Sequence, residues 1–271
     1  MTDPLHADLL ALARTAAHRA GELLRDGRPA DLAVAATKSS PIDVVTEMDI
    51  AAEKLITSLI AEERPEDGFL GEEGAATEGT SGVRWVIDPL DGTVNYLYGL
   101  PTWAVSIAAE QEGEVVAAAV VAPMRQEAYH AVRGGGAWAT GAGDGERRLA
   151  CRPAPPLDQA LVSTGFNYVR DVRDHQADVA RRLIPLLRDI RRSGSAAVDL
   201  CDVAAGRLDG YYERGLHPWD LAAGDLIARE AGALTGGRPG QAPSHDLTVA
   251  ATPGVFEPLQ RLLEDFGAWH D

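Results

Sequence analysis

The sequence predicts an α+β protein in which helices cover the faces of layered sheets. Its predicted helices and strands come in blocks of two or more, whereas a doubly wound fold would alternate them one by one. Antiparallel hairpins occur among these blocks, the clearest of them around a Glu112–Gly113 turn. A length of 271 residues, 45% of them hydrophobic, suits one large domain, 1–271, or two intimate lobes.

Helix signals dominate the beginning of the chain. Asp3 as N-cap and the proline after it open a helix that Gly27 ends. Thr46 precedes a second helix, whose Leu and Ile residues recur on one side. The segment Pro65–Gly82 is rich in Gly and Glu, so we expect an irregular loop there.

A strand-rich region follows. The apolar run 85–87 predicts a short strand, and strands are also expected near 103–110, 114–122 and 127–132. Residues 140–156, with Gly, Asp and Pro, form the best boundary between an N-terminal lobe of about 1–145 and a C-terminal lobe of about 150–271. The second lobe is expected to contain, in order, a strand near 160–164, a helix across 174–190, a helix after Ser195, a strand Leu208–Glu213, a helix Asp220–Ala231 and a helix after Pro253.

Composition excludes several classes of function. Forty-one acidic residues against 25 basic ones give a net charge of −16, which argues against binding to nucleic acid or to an anionic membrane surface. Cys151 and Cys201 lie in apolar stretches, so we expect reduced thiols and neither a disulfide framework nor a zinc site. The N-terminus has no basic region typical of a signal peptide, and the apolar runs are too short to span a bilayer. A cytoplasmic location is therefore expected.

The segment Asp88–Thr93 carries the strongest chemical signal. An apolar strand delivers Asp88 to the edge of a sheet, and a proline-containing turn is expected to bring Asp91 back beside it. Gly92 leaves room for a ligand near the backbone, and Thr93 can begin a helix whose free N–H groups face an anion. Carboxylates beside such a helix start suit Mg²⁺ and phosphate together.

Motifs along most of the chain resemble those of the inositol monophosphatase family. The run WVIDPLDGTVNY, Trp85–Tyr96, is similar to the first family signature, and Trp219–Gly232 is similar to the second. Gly71–Glu73, Lys38–Pro41 and Gly194–Ala197 also resemble family elements, and the matches occur in family order. The resemblance implies the layered αβαβα sandwich of inositol monophosphatases and fructose bisphosphatases, a homodimer, lithium sensitivity and two to three Mg²⁺ ions per site.

The resemblance also implies roles for particular residues. Residues implied as metal ligands are Glu72, Asp88, Leu90 through its carbonyl, Asp91 and Asp220. Those implied in catalysis are Asp49, Thr93 and Glu72, the first two positioning the attacking water. Those implied in binding the phosphate or the polyol hydroxyls are Asp91, Gly92, Thr93, Ala196 and Glu213.

Simpler interpretations of some of these acids stay open at the level of sequence. Glu72 could be a solvated loop residue, Glu213 a surface acid, and Asp220 the cap of the helix it begins. Thr46 and Asp49 fit a capping box that opens the second helix, and this would explain Asp49 without any catalytic role.

The predicted function is Mg²⁺-dependent hydrolysis of inositol monophosphate, a small phosphorylated polyol, by metal-activated water. No serine stands in a nucleophile elbow, so direct attack without a phosphoenzyme is expected. The tail of the first signature, Val94–Tyr96, resembles the inositol monophosphatase branch. Alternatives on the same site are histidinol phosphate and fructose 1,6-bisphosphate; a non-catalytic binding protein that retains the fold is the alternative of a different class.

Overall fold

The computed structural model describes residues 3–29, 34–38 and 44–269. Within these ranges the chain forms two large sheets, a short two-stranded ribbon and helices on both faces of each large sheet. No helix in the described ranges is both long and apolar enough to cross a membrane.

The helices and strands take the following bounds. The α-helices are α1 (Pro4–Asp26), α2 (Glu47–Glu63), α3 (Thr93–Leu97), α4 (Arg170–Leu183), α5 (Ala196–Ala204), α6 (Pro218–Glu230) and α7 (Pro253–Asp265). The strands up to the end of the first large sheet are β1 (Ala36–Thr37), β2 (Val44–Val45), β3 (Gly68–Gly71), β4 (Ala76–Thr77), β5 (Val83–Asp91), β6 (Ala104–Gln111), β7 (Glu114–Ala122), β8 (Glu127–Val132), β9 (Gly136–Gly141) and β10 (Asp144–Arg148). The remaining strands are β11 (Leu161–Thr164), β12 (Asp189–Arg191), β13 (Gly210–Glu213), β14 (Leu234–Gly236) and β15 (Thr248–Ala251).

The strands assemble into sheets with mixed pairing. The eight-stranded sheet has the order β10-β9-β8-β7-β6-β5-β3-β4, and the five-stranded sheet has the order β12-β11-β13-β15-β14. The larger sheet is antiparallel except where β3 runs parallel to β5, and in the smaller sheet β11 is parallel to both of its neighbours.

Four hydrophobic clusters separate five layers. Helices α1 and α2 pack on one face of the large sheet, and α5 and α6 pack on its other face. The opposite sides of α5 and α6 contact the smaller sheet, whose outer face is covered by α4 and α7. Along β5, Trp85 and Ile87 face α1 and α2 while Val86 faces α5 and α6, because side chains alternate along a strand. The predicted αβαβα order is thereby confirmed.

Several predicted elements are confirmed closely. Asp3 accepts a hydrogen bond from Leu5 N at the start of α1, and α1 ends at Gly27. The Thr46 capping box opens α2. The hairpin of β6 and β7 turns at Glu112, whose φ of 53° is left-handed.

The expectation of an irregular loop at 65–82 is wrong in part. Strand β3 lies within it and pairs in parallel with β5, with Phe69 opposite Trp85. Gly68 makes the segment look like a loop, but it is needed for close packing: a Cβ there would lie 2.9 Å from Gly79 N and from Thr77 O. The sequence signal failed because a glycine that permits close backbone approach resembles a turn glycine.

Two further boundaries differ from expectation. The helix expected across 174–190 spans Arg170–Leu183, because Pro185 cannot continue it. The chain then forms β12, which pairs in parallel with β11. Within the segment 140–156, β10 continues the large sheet through Arg148. The division into lobes itself stays a prediction.

Candidate active site

A cavity of about 270 Å³ opens where the end of β5, the β3–β4 turn and the beginnings of α5 and α6 meet. It brings together nearly all the residues singled out by sequence. Those that line it are Glu72, Asp88, Leu90, Asp91, Gly92, Thr93, Ala196, Glu213 and Asp220. Asp49 does not line the cavity but lies behind Thr93, to which it is hydrogen-bonded.

A β-bulge, and not the expected turn, brings the two aspartates of the first motif to the cavity. Strand β5 continues through Asp91, and its pairing with β6 shifts by one residue between Asp88 and Asp91. Residues three apart on a regular strand point to opposite faces, so the extra residue lets both carboxylates reach one cavity. Pro89 is tolerated there because β3, the neighbour on the other side, pairs only as far as Ile87.

Gly92 follows with a left-handed φ of 97° and is the N-cap of α3. A Cβ at this position would lie 3.0 Å from Thr102 O and 3.1 Å from Gly194 O, so the space also requires glycine. The backbone is therefore packed against its surroundings on one side, and Gly92 and Thr93 line the cavity on the other.

Asp91 is anchored by the start of α5. Its Oδ2 accepts hydrogen bonds from Ser195 Oγ and from Ala197 N, both at 2.7 Å. Burial raises the pKa of Asp91 to about 6, although these donors oppose the shift. Ala196 also donates its backbone N–H toward this carboxyl, so the helix start orients Asp91 directly.

Asp88 is buried and Asp220 is partly buried among other carboxyl groups. Burial raises the pKa of Asp88 well above its usual value, and the nearby charges of Glu72, Asp91 and Asp220 raise it further. The pKa of Asp220 is likewise raised by burial and by Glu72 and Asp91. Asp220 is the third residue of α6 and accepts from His217 N at 2.6 Å, so the helix does not begin at Asp220 as expected.

Asp49 belongs to the helix cap and to the site at once. Its Oδ2 accepts from Thr46 N at 2.9 Å, and its Oδ1 accepts from Thr93 Oγ1 at 2.9 Å. Burial raises the pKa of Asp49, the Thr46 and Thr93 bonds oppose this, and the Glu72 charge adds to it. The two interpretations of Asp49 are therefore compatible.

Lys38 is a cation that contacts the acidic cluster. Its Nζ donates to Glu72 Oε1 at 2.8 Å and to Glu73 Oε1 at 2.6 Å. Burial by itself would lower the pKa of Lys38, but the two carboxylates raise it above its usual value. The rest of the Lys38 motif, residues 39–41, and Asp43 lie outside the described residues.

The donor set fits a hard divalent cation. Burial and mutual repulsion raise the pKa values of Asp88, Asp91 and Asp220, and a Mg²⁺ ion would reverse that balance because it prefers anionic oxygen ligands. Among the described residues, no three His, Cys, Asp or Glu side chains already stand as a complete ligand group. Lys38 contacts Oε1 of Glu72 only, so Glu72 can bind a cation through its other oxygen.

Glu213 forms the opposite wall of the cavity. Tyr211 donates to its Oε2 at 2.7 Å, and burial raises the pKa of Glu213 to about 7. The carboxylate lies against Gly165, where a Cβ would come within 2.0 to 2.2 Å of its atoms. The surface-acid interpretation is thus wrong for Glu213, because the side chain is packed in the cavity.

Sequence reasoning missed the residues that hold these groups in place. Ser195 is predicted as a helix start within a family element but not as a partner of Asp91, and its bond to Asp91 joins positions 104 residues apart. Gly165 and Tyr211 were not singled out, although a tyrosine two positions before an acid on a strand shares its face. That spacing was the one available signal.

The chain is therefore a five-layered α+β protein with a carboxylate-rich cavity. The family model described as "Inositol monophosphatase family" matches residues 6–265. The chain belongs to the inositol monophosphatase family, which is metal-dependent. Membership of this family supports phosphatase activity.

Named relatives agree with this assignment. An "Inositol-1-monophosphatase" from Mycobacterium bovis is 46% identical over 237 residues, covering 84% of this chain and 81% of the relative. "Nus factor SuhB" from Escherichia coli K12 is 42% identical over 266 residues, covering 95% and 96%. The solved structure "Mycobacterium tuberculosis SuhB" superposes with a TM-score of 0.84 at 41% identity and covers 99% of this chain and 100% of that one.

Proposed function

We propose that this chain is a Mg²⁺-dependent phosphatase that hydrolyses inositol monophosphate to inositol and phosphate. The observation that carries the proposal is the convergence of four carboxylates, Glu72, Asp88, Asp91 and Asp220, on one cavity beside the start of α3. They come from the β3–β4 turn, from β5 and from α6, and clustered carboxylates repel one another unless a cation binds between them.

The metal ligands are those that the family motifs indicate. Two to three Mg²⁺ ions would be held by the four carboxylates and the Leu90 carbonyl. When bound, they would supply an acidified water molecule and neutralise charge on the phosphate and the leaving oxygen. Inhibition by Li⁺ is part of the proposal.

The chain's own residues then orient and exchange protons. Thr93 Oγ1 donates to Asp49, so it can accept a hydrogen bond from the attacking water; the Thr93 hydroxyl proton passes to Asp49 as the water proton passes to Thr93 Oγ1. The N–H groups of Gly92 and Thr93 hold the phosphate. Glu213 accepts hydrogen bonds from the polyol hydroxyls, and Asp91 and Ala196 also contact these hydroxyls.

A polyol is favoured because the wall opposite the carboxylates is polar. Glu213 is a fixed hydrogen-bond acceptor there, and Tyr211 and Gly165 determine its position. Histidinol phosphate and fructose 1,6-bisphosphate are the competing substrates. A homodimer is proposed from the family resemblance and is testable by sedimentation equilibrium.

The test compares initial rates on the three phosphate esters with Mg²⁺ and with excess chelator. We expect Mg²⁺-dependent turnover, with the highest kcat/KM on inositol monophosphate. Asp88→Asn should abolish it. Asp209→Asn is the matched control, since Asp209 is also buried but accepts from Leu161 N in the smaller sheet.

Full activity in chelator would contradict metal dependence, and a higher kcat/KM on another ester would reassign the substrate. Absence of turnover on all three esters would favour a binding role; one relative carries the name "Nus factor SuhB".

A further inference from the structure

Glu53 is a buried acid that lines no part of the cavity. It lies on α2, and its residue is only 6% exposed. Its Oε2 accepts from Glu73 N at 2.8 Å and its Oε1 accepts from Ala75 N at 2.9 Å. Both oxygens of the Glu53 carboxylate thus accept hydrogen bonds from the backbone of the β3–β4 turn. Such charge-assisted hydrogen bonds are about twice as strong as neutral ones.

The turn is built closely around this carboxylate. A Cβ on Gly71 would lie 2.3 Å from Glu53 Oε2, so any larger residue at position 71 would clash with this carboxylate. Gly71 N also bonds Ala75 O at 2.6 Å and closes the turn.

Glu72 is held between these restraints. Its N–H bonds Ile87 O on β5 at 3.2 Å, immediately before Asp88. Its neighbours in sequence, Gly71 and Glu73, are the residues that contact Glu53. The backbone of Glu72 is therefore fixed on one side by β5 and on the other by α2.

We infer that Glu53 is a positioning residue which, through the 71–75 turn, places the Glu72 carboxylate toward Asp88 and so sets the affinity for the metal. The inference rests on the proposed function, in which Glu72 is a metal ligand. Glu53 itself touches neither metal nor substrate. Groups that orient metal ligands typically change metal affinity by about 10- to 100-fold when they are removed.

The test is Mg²⁺ binding measured by calorimetry on Glu53→Gln, with no substrate present. Glutamine keeps the shape but presents an NH₂ group to one of the two backbone N–H groups, so one bond is lost. We expect the Kd for Mg²⁺ to rise about 10-fold or more. At saturating Mg²⁺ the kcat should stay near that of the wild type, and amide hydrogen exchange at residues 73 and 75 should accelerate.

Three variants separate this role from general destabilisation. Glu47→Gln removes an exposed carboxylate from the same helix and should change nothing. Asp209→Asn weakens a comparable carboxylate-to-backbone bond in the other sheet and should lower the thermal midpoint without changing the Kd. Gly71→Ala pushes the turn away from Glu53 from the opposite side and should reproduce the weakened Mg²⁺ binding if Glu53→Gln folds poorly.

An unchanged Kd in folded Glu53→Gln or Gly71→Ala would overturn the inference. A wild-type protein that binds no Mg²⁺ would instead contradict the proposed function, so the two failures are distinguishable.

Discussion

At the scale of single residues, the two oxygens of Asp49 act in different places. Oδ2 closes the capping box at Thr46, and Oδ1 orients the Thr93 hydroxyl beside the cavity. Because a carboxylate has acceptors on both oxygens, a helix start can also support a reacting group.

Asp49→Asn should therefore impair both roles. We expect kcat to fall about 100-fold or more, as for the loss of a general base. The change in the thermal midpoint should be small, because the loss of a cap, about 1 kcal/mol, is offset by the removal of a charge near Glu72. Asp3→Ala is the control: it removes the cap of α1, which lies away from the cavity, and should lower the midpoint at normal kcat. A normal kcat in Asp49→Asn would make Asp49 a cap alone.

Gly165 should govern the choice of substrate. Gly165→Ala places a methyl group against the Glu213 carboxylate and displaces it. If Glu213 binds a polyol hydroxyl, kcat/KM on inositol monophosphate should fall about 10- to 100-fold, the equivalent of one hydrogen bond to a charged group. Turnover of p-nitrophenyl phosphate should change little. Equal losses on both esters would show that Glu213 does not contact the polyol.

At the scale of elements, α5 carries a buried acid that the proposed mechanism does not use. Ser163 Oγ on β11 donates to Asp199 Oδ2 at 2.8 Å. Burial raises the pKa of Asp199 from 3.8 to about 8; the Ser193 and Ser163 hydroxyls oppose this, and the charges of Glu213 and Asp202 add to it. The folded protein therefore retains a proton on Asp199 at pH values where the unfolded chain has lost it.

This predicts how stability depends on pH. The raised pKa stabilises the fold below pH 3.8, and that contribution is lost as the pH rises toward 8. Asp199→Asn replaces the carboxyl with a neutral group. Its thermal midpoint should therefore rise relative to that of the wild type as the pH increases from 5 to 9. Differential scanning calorimetry across this range measures the difference. A difference that is independent of pH would show that Asp199 is ionised throughout.

At the scale of the whole molecule, the proposed metal site joins elements that are remote in sequence. The β3–β4 turn, β5 and α6 supply its carboxylates, and Asp91 is tied to α5. A ligand that binds only the folded state stabilises that state by mass action.

Mg²⁺ should therefore raise the thermal midpoint of the wild type relative to chelator. At 100 times Kd the gain is about 2.7 kcal/mol, which corresponds to roughly 5–10 °C for a chain of this size. Asp88→Asn should lack the shift, whereas Asp209→Asn should retain it from a lower starting midpoint. Equal midpoints of the wild type in Mg²⁺ and in chelator would argue against metal binding.

What the sequence could predict was local or carried by a motif. The caps at Asp3 and Thr46, the hairpin at Glu112 and the acids of the first signature depend on neighbours a few residues away. Local hydrogen bonds and side-chain alternation determine such features wherever the segment lies. The family motifs then indicated which acids belong to one site.

Only the tertiary structure decided how those acids are held. The bulge that aligns Asp88 with Asp91, the Ser195 bond to Asp91 and the Glu53 carboxylate behind Glu72 each depend on partners in other elements. A glycine that admits such a partner has the same sequence signal as a glycine in a turn. The sequence by itself therefore determined the family and, through it, the layered fold, and it indicated the residues of the proposed site. Long-range packing determined the geometry, because close contact between distant segments leaves no periodic pattern in the chain.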